Sequence, residues 1–233
     1  MNARAGSTGA GHEGPATGSI DDEPGSRRKD REVMGDGRNE EQVLFALARQ
    51  ERLARDRADW DALTDAYWSD GVVRVTWFEG SPAGFVEASQ RQHRPSERQG
   101  THTISPTRSV VNGDRAFVES TGQILLRPTV EGVDCDLTAT CRFLSRFERR
   151  GGEWRMLTFD AIYLKDRIDP LVPGTSVPLD SELLAAGRPS YRFLTYTNVR
   201  RGMTVPDDLP GGDRPELLDA FYADAESWVR DGR

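Results

Sequence analysis

Two side chains in this chain could do acid–base chemistry together. They are Asp56, in LARDRADWDALTDAYWSDGVV, and His102, in GTHTISPTRSVVNGDRA. An imidazole titrates near neutral pH, so it can take a proton from a substrate carbon or oxygen. A carboxylate on its far nitrogen would hold the tautomer and stabilise the imidazolium that forms. The plainer reading has His102 bonding a backbone carbonyl at a strand entrance while Asp56 serves the helix turn beside it; geometry must decide. His93 lies in the polar stretch QRQHRPSER and is expected at the surface, and His12 lies in a tail set aside as a site. Arg142 and Asp160 are charged residues inside apolar strands. Either would become an electrostatic partner of the pair if it pointed inward, or an ordinary outward residue if not. Tyr67, Trp68, Trp77, Phe159 and Tyr163 could line a pocket for a small hydrophobic ligand, or simply fill a core.

The elements that must position these groups are legible in the hydrophobic pattern. Residues 1–38 are rich in Gly, Ser and mixed charge and are expected to be disordered. Asn39 with Gln42 reads as a helix start, followed by an apolar stripe of Val43, Leu44, Leu47, Ala48 and Ala54. Asp59 is expected to cap a short second helix with Trp60, Leu63 and Tyr67 inward. A strand VVRVTWF follows, and Ser81-Pro82 opens a third helix carrying Phe85, Ser89 and His93 on one face. From Thr101 the period becomes two. Asn112-Gly113 signals a hairpin, and Gly151-Gly152 turns one long strand into another. Helices followed by a meander indicate an α+β domain over 39–168. Residues 169–233 form a Pro-rich wrapping extension that ends in an amphipathic helix, with Leu217, Phe221, Ala225 and Trp228 along one face.

Composition narrows the function. A net charge of −7 and a pI near 5.1 exclude the basic footprint of a nucleic-acid binder. No apolar run approaches the roughly 18 residues that would cross a bilayer. An apolar leader core is absent as well, so a cytoplasmic location is expected. Cys135 and Cys141 fall on one predicted strand, roughly 20 Å apart at about 3.3 Å per residue, too far to bridge. No metal-ligand spacing is present, and neither a metal nor a cofactor is expected.

The order helix, helix, strand, helix, meander, with RDRADWDAL and YWSDGVV in front and RFERRGGEWRM behind, resembles the SnoaL-like branch of the nuclear transport factor 2-like superfamily. The resemblance implies a cone-shaped, curved antiparallel sheet wrapped around three N-terminal helices, with a mostly apolar pocket at one end. Scytalone dehydratase and lindane dehydrochlorinase, two enzymes of that group, use a histidine held by an aspartate to remove a proton beside a leaving group. His102 and Asp56 match those positions. The last-strand arginine that receives the leaving group in the dehydrochlorinase is replaced here by Phe159, and its catalytic lysine has only Glu51 or its neighbours opposite. The resemblance therefore implies a cofactor-independent lyase or isomerase acting on a small hydrophobic carbonyl or ring compound, in a homo-oligomer. The alternative is a non-catalytic binding or assembly module like the β subunits of ring-hydroxylating dioxygenases. An epoxide hydrolase of the limonene type would need Arg142 and Asp160 both directed inward.

Overall fold

The computed structural model describes residues 26–93 and 100–231, with side chains described from Asn39 onward. The chain divides into two compact units, 1–38 and 39–233, and the second carries the fold below. Most of the expected disordered tail, residues 1–25, lies outside the described residues.

Helix α1 (Ser26–Arg57) runs through Asn39, so the cap expected there is not used. Its Leu44, Ala48 and Ala54 are buried in the main core, as the stripe predicts. Glu40 instead pairs with Arg149 at 2.5 Å. Helix α2 (Trp60–Asp65) is capped by Asp59, whose carboxylate accepts the Ala62 N–H at 3.1 Å. Tyr67 does not finish that helix but opens strand β1 (Tyr67–Val75), which hairpins into β2 (Phe78–Gly80). Helix α3 (Pro82–Gln92) begins at the Ser81 cap and buries Phe85, Val86 and Ser89. His93, expected at the surface, is half-buried and meets Trp60 edge-on at 5.6 Å.

The meander comprises β3 (Thr101–Asn112), β4 (Arg115–Leu126), the short β5 (Thr129–Val130), β6 (Val133–Arg150) and β7 (Glu153–Pro170). The sheet order is β2-β1-β7-β6-β4-β3, with β5 beside β6. All pairs are antiparallel except β1 with β7, a departure from the purely antiparallel sheet expected. The sheet is curved and does not close. Its concave face presents Leu137, Ala139, Cys141, Phe143, Phe147, Phe159, Ala161 and Tyr163 to the three helices. Both cysteines are free and buried on β6.

One glycine sets how closely two of these strands approach. A Cβ on Gly122 of β4 would stand 2.2 Å from the Thr103 carbonyl oxygen and 2.8 Å from the Phe143 ring. The first contact is with backbone and cannot be relieved by a rotamer change. Gly122→Ala should therefore destabilise the protein by about 1–3 kcal/mol, read as a lower urea midpoint at unchanged slope.

The C-terminal extension is more structured than a strap. It forms α4 (Ser181–Ala186), α5 (Arg192–Arg200) and α6 (Pro215–Arg230). The apolar face of α6 packs on the convex side of its own sheet, where Ala225 and Val229 meet Phe117, Leu144 and Ile162. Asn112 donates to the Val229 and Arg230 carbonyls, satisfying two acceptors at the end of that helix. Arg188 ties the extension together by donating to Asp213 and to the Asp207 and Leu209 carbonyls. That ion pair holds the Asp213 carboxyl down at about 2.

Candidate active site

Asp56 lies in the last turn of α1, which ends at Ala58 in the left-handed region (φ 57°). His102 is the second residue of β3, an edge strand of the sheet. An edge strand leaves alternate N–H groups without a ladder partner. The His102 N–H is met by Asp56 Oδ2 at 2.7 Å, while Asp56 Oδ1 lies 2.6 Å from His102 Nδ1. One carboxylate thus grips both the backbone and the ring of the same residue, which fixes the ring plane. A carboxylate only accepts, so the geometry assigns the hydrogen to Nδ1 and leaves Nε2 as the basic nitrogen. Burial lowers the His102 pKa below its ordinary value. The Asp56 bond works against that, and the nearby Arg52 and Arg55 charges add to the lowering. The imidazole is therefore neutral, and able to accept a proton, at neutral pH.

His102 borders a cavity of about 610 Å³, within the size range of small-molecule sites. Of the aromatic residues proposed from sequence, Trp77, Phe159 and Tyr163 line it. The Tyr163 hydroxyl accepts the Thr76 N–H at 3.0 Å, which orients the ring. Tyr67 does not reach the cavity: it is buried behind it and donates to Glu51 at 2.7 Å. Trp68 also lies elsewhere. Its indole N–H donates to the Glu148 carbonyl and its ring stacks under Arg150 and Arg155. Arg142 and Asp160 belong to the convex face. Arg142 bonds the Tyr222 hydroxyl beneath α6, and Asp160 alternates with the inward Phe159 and Ala161. The reason is strand parity, since successive side chains point to opposite faces. The inward Arg–Asp cluster that an epoxide hydrolase would need is thus not formed.

Asp160 has a consequence of its own. Burial raises its pKa to about 6, with Arg146 and Arg74 offsetting part of the effect. A raised carboxyl stabilises the native state when protonated and costs stability as pH rises through about 6. Asp160→Asn should therefore gain about 1 kcal/mol relative to the parent between pH 5 and pH 7.5. Paired urea titrations at the two pH values measure that difference directly.

Sequence reasoning missed Arg52, which is 4% exposed and carries its guanidinium carbon 4.0 Å from the centre of the Phe159 ring. Burial opposes its charge, but the adjacent Glu51 carboxylate more than offsets this and keeps it cationic. A signal was available: Arg52 stands four residues before Asp56, on the same helix face. Arg55, Asn198 and Arg201 also line the cavity. The last two come from the extension and follow from no motif.

The sequence matches the SnoaL-like domain family over residues 38–160. A PEP2-like protein of Fusarium vanettenii is 29% identical over 75% of this chain and 79% of its own length. Among solved structures, the hexachlorocyclohexane dehydrochlorinase of Novosphingobium barchaimii is 19% identical with a TM-score of 0.48, covering 61% of this chain and 97% of that one. A scytalone dehydratase homologue of Novosphingobium aromaticivorans is 11% identical with a TM-score of 0.49, covering 64% and 99%.

Proposed function

The chain belongs to the SnoaL-like domain family, and on that premise we propose that it is a cofactor-independent lyase or isomerase in which His102 removes a proton from a substrate carbon. The observation that carries the reading is the pair of Asp56 contacts to one histidine at the wall of an open cavity. Nε2 takes the proton, and the C–H electron pair forms a new double bond. In an elimination the leaving group departs with its own pair; in an isomerisation the charge moves to a carbonyl oxygen. Asp56 holds the ring and stabilises the imidazolium. Negative charge develops on the departing or enolate atom, and Arg52 is the cation that can answer it. Its guanidinium reaches the Phe159 ring from helix α1, the position where the resemblance calls for an arginine on the last strand.

The alternative of an assembly module has less support. It calls for a filled cone and a broad bare apolar face, whereas the cone holds a cavity and α6 covers much of the convex face. The apolar face of the amphipathic helix α6 is used on its own sheet, so self-association has the family precedent as its support. The reading is tested by incubating hydroxy- and halo-substituted ring compounds with the protein and following elimination and solvent deuterium uptake. His102→Ala is the control. Turnover by the parent that persists undiminished in that variant would remove the histidine from the mechanism.

A further inference from the structure

Arginines outnumber acidic side chains in the cavity wall. Four arginines border it: Arg52, Arg55, Arg127 and Arg201. Arg52 is paired with Glu51, and Arg127 forms a two-pronged pair with Asp136 at 2.6 and 2.9 Å. Neither Arg55 nor Arg201 forms a close ion pair among the described residues, although the Asp56 and Glu51 charges act on Arg55 from farther off. The guanidinium of Arg55 lies instead 5.8 Å from the centre of the Trp77 ring. Asp134 is the single acidic side chain among the lining residues described, and it accepts the Thr129 hydroxyl. Beside these cations stands Asn198, 6% exposed, whose amide nitrogen is buried without a hydrogen-bond partner.

The unpartnered buried amide carries a desolvation cost, and the half-buried Arg55 and the exposed Arg201 present cationic donors to the same cavity. A bound anion would satisfy the amide and pair with both guanidiniums, because a carboxylate offers acceptors to guanidinium and amide alike. An apolar ring would then rest against Trp77, Phe159 and Leu194, which are among the apolar residues of the wall.

We propose that the substrate is a carboxylate-bearing ring compound whose anionic group is received by Arg55, Arg201 and Asn198. This rests on the reading that the His102 cavity is the working site, and it replaces a purely hydrophobic ligand with an acidic one. Asn198 lies in α5 and Arg201 caps its C-terminal end, both beyond the matched family segment 38–160. The extension is therefore a specificity element: it adds to a shared base the groups that select the charge of the ligand.

The test reads binding, not turnover, so it can fail independently of the catalytic reading. Affinities of 2-naphthoate and of the neutral 2-naphthamide are compared by titration calorimetry at pH 7.5, in the full chain. The carboxylate is expected to bind at least about tenfold more tightly than the amide. Arg55→Gln and Arg201→Gln should each reduce that preference several-fold, and Asn198→Ala should weaken the acid more than the amide. His102→Ala should keep the preference, since the base is not the anion receptor. Melting curves confirm that each variant is folded, and Arg201→Lys, which retains the charge, should recover part of the effect. Equal affinity for acid and amide overturns the proposal. So does failure of the acid to bind at millimolar concentration, or a preference unchanged in the Arg55→Gln/Arg201→Gln double variant.

Discussion

Replacing His102 by alanine should reduce turnover about 10²- to 10⁴-fold while leaving the protein folded. The ring lies at the cavity wall at 13% exposure, so its removal enlarges an existing space and gives up one edge contact with the Phe143 ring. The pH profile should carry the same signature. Because burial lowers the His102 pKa, activity should be flat through neutrality, with an acid limb below the free-histidine value of about 6.5. Asp56→Asn should move that limb lower still, since it removes the bond that opposes the lowering. It should also cut turnover by loosening the tautomer. An acid limb that stays in place in Asp56→Asn, or a His102→Ala enzyme at parental rate, would contradict the assignment.

The largest loss of stability should follow from Glu51→Ala. Glu51 is fully buried, pairs with Arg52 at 4% exposure, and accepts the Tyr67 hydroxyl at 2.7 Å. Truncating it leaves a buried guanidinium and a buried hydroxyl without acceptors. Removing one partner of a buried pair costs about 3–5 kcal/mol, which is a large share of the roughly 5–15 kcal/mol that holds a domain together. Replacing both partners with apolar residues, as in Glu51→Met/Arg52→Met, should recover much of that loss, because no charge then remains to be desolvated. The double variant should nevertheless lack turnover if Arg52 answers the charge formed in the reaction. A chemical melt of the two variants beside the parent separates the effects. A Glu51→Ala protein within about 1 kcal/mol of the parent would show that the pair is better solvated than its burial implies.

Local chemistry was legible wherever it depends on near neighbours. Asp59 and Ser81 cap their helices because a side-chain oxygen can reach an N–H three residues on without help from elsewhere. Asn112-Gly113 and Gly151-Gly152 turn the chain where positive φ is required, at 59° for Gly113 and at 60° and 87° for the glycine pair. The alternation of β6 places Leu137, Ala139, Cys141 and Phe143 on one face by the period of the strand alone. The pairing of Asp56 with His102, 46 residues apart, was one of two readings of the residues, and the family resemblance was what favoured it.

What the chain's local pattern could not decide was the choice of face and the closure of the pocket. Strand parity is known only relative to a neighbour, so Arg142 and Asp160 could be assigned to the inside or the outside until β6 and β7 were paired. Pairing puts Arg142 opposite Ile162 and Asp160 opposite Leu144, all on the side that α6 covers. The site's cations depend equally on long-range packing. Arg52 stays charged while buried because its neighbour Glu51 pairs with it, and Tyr67, from the start of β1, donates to that same carboxylate. Asn198 and Arg201 enter the cavity because Tyr191 and Leu194 bury α5 against the concave core. Composition and periodicity determined which elements form, and the family resemblance singled out the candidate base. Tertiary structure decided which charges share a cavity with it, because burial and electrostatic pairing are properties of segments brought together from distant parts of the chain.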